Sequence, residues 1–263
     1  LLKTNTILLR FGNIVAFIVT LVVNGLAGTT ILNGRTTAEV SDLYSSPFTP
    51  AGYVFGIWGI IYALLTVFVI YQALPKKKDK LFQKQISVLF ILSSLFNTIW
   101  LLLWQYDYIT WSVVVMFALL ATLSTIYLRL GIGKSSAVRT EKLCVHLPFS
   151  VYLGWITVAS IANVAAALVS IGWTGLGLGS ETWAIIAIGI ALMATLAVII
   201  VRKDFVYSLV VVWALAGIAV KQNMYPTIVL ITEEAITVIL VALALSLVAW
   251  KLKPKTSPSE IDK

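Results

Sequence analysis

Three short patterns hold the side chains best suited to gripping a ligand. Phe55, Trp58 and Tyr62 fall at i, i+3 and i+7, one stripe of a helix. Asn97, Trp100 and Trp104 repeat that spacing. Tyr152, Trp155, Ala159 and Asn163 share a third face, with Pro148 a turn earlier. Aromatic walls offer stacking area to a flat apolar ring, and two amides can orient its polar atoms. The same residues also have a plainer use. Asn bridges neighbouring membrane helices by hydrogen bonds, and Asn97 and Asn163 taken alone read first as such glue. Trp and Tyr populate the belts at membrane interfaces. Trp104, Trp111, Trp173, Trp183 and Trp250 lie near the ends of apolar runs and read as belt residues. Trp58, Trp100 and Trp155 are too deep or too patterned for a belt and read as walls of one pocket.

Other chemistries find little to work with. Cys144 is the only cysteine and His146 the only histidine. These exclude an intrachain disulfide, a cysteine cluster and a His-rich haem or zinc site. No nucleophile–base pair, metal cluster or carboxylate dyad occurs at membrane depth, so we expect neither catalysis nor a metal. No lysine lies mid-span to form a retinal Schiff base. Lys221 ends one apolar run, and Glu233 and Glu234 open the next. An ion pair at the interface is the expected use, and a proton or cation site the alternative.

The elements that position these residues must be membrane helices. The chain is 60% hydrophobic and 11% charged, against about 25% charged in soluble domains. Its apolar runs are continuous rather than alternating, which favours helices over barrel strands. About eight spans are expected, at 11–32, 53–74, 86–104, 110–130, 144–170, 182–201, 205–220 and 227–250. A re-entrant hairpin over the sixth and seventh is the alternative. The first run, with Lys3 and Arg10 ahead of it, resembles a signal peptide; we expect it to stay as a membrane helix. With this span count every lysine and arginine except Arg35 and Lys221 falls on one side. That asymmetry predicts both termini in the cytoplasm. The net charge of +8 is spread over short loops without a binding motif, so nucleic acid is not an expected partner.

Within this frame the stretch 47–62, PFTPAGYVFGIWGIIY, leads from a proline-framed turn into the second span. Gly52 and Gly56 are expected to admit a closely packed helix. At about 1.5 Å per residue, Trp58 lies roughly 8 Å inside the outer end of its span, and Asn97 and Asn163 roughly 10 Å inside theirs, with Trp155 near mid-membrane. The stripes therefore converge in the outer half, beneath the loop 33–52, which is either a lid or a plain connector. The glycine-rich segment 172–180, GWTGLGLGS, lacks a phosphate-binding lysine and reads as a turn. The tail 254–263 reads as a disordered cytoplasmic segment.

Here the residues meet a known family. Pro50-x-x-x-x-Phe55-x-x-Trp58-x-x-x-Tyr62 resembles the second-helix signature of the tryptophan-rich sensory protein, or translocator protein, family (TspO/MBR). Asn97-x-x-Trp100 is similar to its third-helix motif. Trp155-x-x-x-Ala159-x-x-x-Asn163, preceded by Pro148 and Tyr152, resembles its fifth. The resemblance implies a five-helix domain over 1–170, followed by three additional helices over 171–253. It also implies a pocket capped by the first loop, accepting porphyrins, sterols or synthetic ligands, and frequent dimers. The implied lining is Trp58, Tyr62, Asn97, Trp100, Trp155, Ala159 and Asn163; periodicity adds Tyr152. Ala51 stands where a second proline is common, the first loop has no Trp, and no tyrosine followed by a basic residue closes the fifth span.

The expected function is therefore an integral membrane binding or sensory protein for a flat apolar molecule, such as a tetrapyrrole, an isoprenoid or a lipid. Two alternatives remain. A secondary transporter needs ionisable residues near the midplane, which are nearly absent. A non-catalytic subunit of a larger membrane complex would dock through small faces such as Ala184, Ala187, Ala191 and Ala194.

Overall fold

The computed structural model describes residues 6–74 and 81–252. Among them every regular element is helical. Six helical segments are long and apolar enough to cross a membrane: Ile7–Ala27, Gly52–Ala73, Ile109–Leu130, Arg139–Ser170, Ser180–Arg202 and Pro226–Ala249. Two shorter apolar helices, Leu89–Gln105 and Phe205–Lys221, complete the bundle. These segments coincide with the expected spans, and the chain is a polytopic, all-α membrane bundle. The expected tail at 254–263 and the lysines at 76–80 lie outside the described residues.

In chain order the helices are α1 (Thr6–Ala27), α2 (Thr37–Leu43), α3 (Ile57–Ala73), α4 (Leu81–Ile86), α5 (Leu89–Gln105), α6 (Ile109–Leu130), α7 (Arg139–Glu141), α8 (Leu147–Ser170), α9 (Ser180–Arg202), α10 (Phe205–Lys221) and α11 (Pro226–Lys251). Several ends have clear local causes. Gly131 closes α6 in the left-handed conformation, φ +64°. Asp204 caps α10 through its side chain, which accepts from the amides of Val206 and Tyr207. Ahead of α8 a π-turn spans Lys142–His146, where the Leu147 amide donates to the Lys142 carbonyl. Pro148 lacks the N–H that would continue an α-turn there, and the ladder widens by one residue.

Several expectations are refined. The third span runs as α5 from Leu89, three residues after its expected start, behind a break at Ser87 whose φ of +47° separates α4 from α5. The second span does not start as an α-helix. Gly52–Gly56 forms a 3-10 turn before α3. A Cβ on Gly52 would meet only ordinary contact, and one on Gly56 would meet open space. The close helix approaches lie elsewhere. A Cβ on Gly154 of α8 would come within 2.9 Å of the Tyr207 carbonyl on α10, and one on Gly217 of α10 would overlap Val54 of the 3-10 turn. α9, at 23 residues, is long and apolar enough to cross a membrane by itself, which speaks against a re-entrant hairpin.

α8 is the central helix, packed against α3, α6 and α10. α1 packs on α5, and α9, α10 and α11 pack on one another. Phe68, Phe90 and Phe149, with ring centroids 5.0 to 6.1 Å apart, and Phe17 beside Phe90 pack together among α1, α3, α5 and α8. This phenylalanine layer is the floor of the aromatic and amide groups described next.

Candidate ligand-binding site

Trp58 sits at the start of α3 and is the hub where the three stripes meet. Its ring stacks on Tyr62 at 5.6 Å and on Trp100 at 5.7 Å, and meets Tyr152 and Trp155 edge-on at 6.1 Å each. Phe55 completes the group, 5.8 Å from Trp155. Rings from α3, α5 and α8 thus form one buried cluster rather than separate lipid-facing patches.

The amides divide the work. Asn163 is held by hydrogen bonds: its Oδ1 accepts from Trp100 Nε1 at 2.9 Å, and its Nδ2 donates to Ser112 Oγ on α6 at 2.8 Å. It ties α5, α6 and α8 together. Asn97 Oδ1 accepts from Asn24 Nδ2 of α1 at 2.8 Å, with the Tyr62 hydroxyl at 3.5 Å. Its Nδ2 is buried without a partner, as is Trp155 Nε1. Asn24 and Ser112 were not among the expected residues. Asn24 was detectable as an amide deep in an apolar run, where each polar group needs a partner.

The eight expected residues fall into two layers. Trp58, Trp100, Trp155, Ala159 and Asn163 line a cavity, together with Ser41 and Trp104. Tyr62 and Tyr152 lie outside its lining, packed against Trp58, and so does Asn97, beside the Tyr62 hydroxyl. The cavity holds only about 30 Å³, about the share of one water molecule in the liquid. The rings fill the space they enclose. A cavity of about 650 Å³ lies on the other side of α8, between α6 and α9. Thr157, Ile161, Leu168, Trp173, Trp183 and Ala187 are among its walls.

The first loop is a lid. Thr36 and Glu39 form a reciprocal capping box that starts α2, and Ser41 from this helix reaches the aromatic cavity. The Thr36 amide and hydroxyl hold the Glu39 carboxyl below the usual carboxylate range. Arg35 pairs with Asp107 at 3.0 Å, and the Tyr44 hydroxyl donates to Asp107 at 3.2 Å. Burial, then the Asp107 charge, push the Tyr44 phenol up. On the other side the lid is fastened to α10. Gln222 Nε2 donates to the carbonyls of Ser46 and Thr49, Ala51 N donates to Gly217 O, and Trp213 Nε1 donates to Val54 O.

Three further expectations change. Lys221 pairs with Asp42 of the lid rather than with Glu233 or Glu234, which are both exposed. Trp104 is no belt residue: it is 4% exposed, stacks on Trp100 and donates to the Thr37 carbonyl. Of the small face on α9, Ala184 and Ala191 are already buried within the chain. Trp111 is exposed, whereas Trp173 and Trp183 pair at 4.9 Å beside the glycine-rich turn. The Trp250 side chain lies outside the described residues.

The profile of the TSPO-like protein family matches residues 8–249. The chain belongs to that family. The match extends beyond the first five spans, through α9 and α10 and most of α11. No curated protein and no solved structure matches the chain. In this TSPO-like protein the motif tryptophans thus pack ring on ring under a lid braced by α10.

Proposed function

We propose that this TSPO-like membrane protein binds a flat apolar molecule with a hydrogen-bond acceptor on one edge, of the tetrapyrrole, isoprenoid or lipid type, among α3, α5 and α8. One observation carries the reading. Trp155 Nε1 is a buried donor without an acceptor, in the wall of an aromatic cavity. An unpaired buried donor costs about 1–3 kcal/mol, and a ligand acceptor placed there removes that penalty. Asn97 Nδ2 stands ready one layer deeper.

Pockets for such ligands hold about 300–1,000 Å³, so entry requires the cluster to open. Trp58 is the side chain to move, because it touches every other ring of the group except Phe55 and Trp104. A flat ring then replaces Trp58 between Trp100 and Trp155, with Ala159 leaving room beneath. In this reading 1–170 is the binding unit, 171–253 braces its lid, both termini are cytoplasmic, and the role is binding or sensing without catalysis.

The test is an absorbance titration with protoporphyrin, comparing the wild type with Trp155→Phe plus Asn97→Leu. The double variant is expected to weaken binding about tenfold or more, since each lost donor contributes about 1 kcal/mol. Unaltered binding would remove the assigned site.

The open volume between α6, α8 and α9 favours a second location for the same ligand class. There the ligand meets mostly aliphatic walls and no orphaned donor.

A further inference from the structure

The opposite, basic end of the bundle carries a second built site. A cavity of about 260 Å³ lies where the turn after α6, the π-turn before α8 and the turn between α9 and α10 meet. His146, Lys142, Ser150 and Asp204 line it on one side, with apolar Ile132 and Leu147 among the rest. His146 is only 6% exposed, and its Nε2 is buried with no partner. An orphaned buried polar atom on a residue that lines a cavity calls for an explanation.

Asp204 is not the missing partner. Its Oδ1 accepts from the Val206 and Tyr207 amides at 3.1 and 3.2 Å. Its Oδ2 accepts from the Tyr127 hydroxyl at 2.9 Å and from the Ser150 hydroxyl at 2.5 Å. That carboxylate is saturated by its own donors and acts as the post of the cavity. Gly133, at φ +83°, lies so close to the Arg202 carbonyl that a Cβ would overlap it. The turns after α6 and after α9 are therefore fixed against each other.

The charge around the cavity selects its occupant. Lys134, Arg139, Lys142, Arg202 and Lys203 lie on or beside these turns, five cationic groups against the two carboxylates of Glu141 and Asp204. A cation is disfavoured there. A phosphate suits a lysine ammonium and an imidazole N–H held at one wall. The volume is about nine times the ~30 Å³ share of a water molecule, room for a headgroup but not for a porphyrin. Apolar walls continue from the polar end, as an amphiphile's glycerol and first methylenes require. Basic pockets between membrane helices have this character.

We infer that His146 and Lys142 bind the phosphate of an anionic membrane lipid in this cavity, with Asp204 and Ser150 holding its shape. The phosphate chemistry is shared with free inorganic phosphate; the adjoining apolar wall points to the lipid. The site is independent of the aromatic cluster.

The single histidine makes the test selective. The full chain, tagged without histidine and carrying ¹⁵N-labelled histidine, is placed in phosphatidylcholine nanodiscs. Added phosphatidylglycerol is expected to shift the His146 Nε2 resonance saturably. Lys142→Gln, an exposed position, is expected to raise half-saturation about fivefold, the effect of one lysine at a lipid surface. Oleate at matched surface charge is expected to give no saturable shift. No shift with phosphatidylglycerol, or unchanged half-saturation in a folded Lys142→Gln protein, would overturn the site. An equal response to oleate would reduce it to surface potential. Saturation by inorganic phosphate alone would overturn the lipid as occupant.

Discussion

Trp58 lies against Trp100 with ring centroids 5.7 Å apart and planes inclined by 29°. This contact joins the second and third spans, and Trp100 in turn is anchored to the fifth through Asn163. The aromatic cluster therefore turns on one ring held by its ring contacts, Trp58, and one tethered by a hydrogen bond, Trp100. That division separates residues expected to govern stability from those expected to govern ligand entry.

Asn163 falls on the stability side. Asn163→Leu leaves Trp100 Nε1 without its acceptor and Ser112 Oγ without the amide donor. Interhelical hydrogen bonds in membranes average about 0.6 kcal/mol, while an orphaned buried donor costs about 1–3 kcal/mol. The orphan dominates, and we expect a loss of about 1–2 kcal/mol in reversible unfolding in mixed micelles. A loss below a few tenths would show that Trp100 finds another acceptor.

Gly217 sets how closely the lid base approaches α10. Any Cβ there overlaps Val54, so Gly217→Ala is expected to cost about 1–3 kcal/mol by overpacking. Val54→Ala in the same chain removes the overlapping methyls. A double-mutant cycle should show the pair destabilised by less than the sum of the singles. Strict additivity would mean the two positions do not touch.

The lid fastenings differ in strength. Lys221 and Asp42 are partly exposed, with side-chain exposures of 25% and 52%, and such pairs are worth about 0–1 kcal/mol. Gln222 is buried and donates to two lid carbonyls. Gln222→Leu strands the Thr49 carbonyl, while that of Ser46 keeps the Thr49 amide, a loss of about 1–3 kcal/mol for a buried polar group. Hydrogen exchange over the lid should therefore rise more in Gln222→Leu than in Lys221→Met.

Acid should loosen α2 through Glu39. Its folded-state pKa is depressed by the Thr36 amide and hydroxyl. Its contribution is fully present above the unfolded value of 4.5 and is lost as pH falls through the lower folded value. Comparing hydrogen exchange of Thr37–Leu43 in wild type and Glu39→Gln at each pH isolates this group. The two should differ near neutrality and converge in acid; a constant difference would contradict the capping role.

Much of this arrangement is legible in the sequence, for identifiable reasons. A helix face repeats every few residues, so Trp58, Trp100 and Trp155 declare a shared direction before any coordinates are known. Long apolar runs place α6 to within one residue of its observed start. The break at Ser87 shows only as the start of the apolar run at 86, after Gln83, Lys84 and Gln85; serine is no strong breaker, so the short helix α4 ahead of it goes unread. Partners far apart in the chain, such as Asp42 with Lys221 or Asn24 with Asn97, are set by tertiary packing that periodicity does not encode. Volume is also silent: a stripe says where rings point, not whether they leave a hollow between them.

The most direct test compares two filling variants. Ala159→Leu takes up the space beneath Trp155 in the aromatic cavity, and Ala187→Leu takes up space in the cavity between α6, α8 and α9. Protoporphyrin affinity, measured by absorbance on both folded proteins, is expected to fall about tenfold or more in Ala159→Leu, as overpacking of about 1–3 kcal/mol would produce, and to stay at the wild-type value in Ala187→Leu. The opposite ranking, with Ala187→Leu impaired and Ala159→Leu unaffected, would contradict a binding site among α3, α5 and α8.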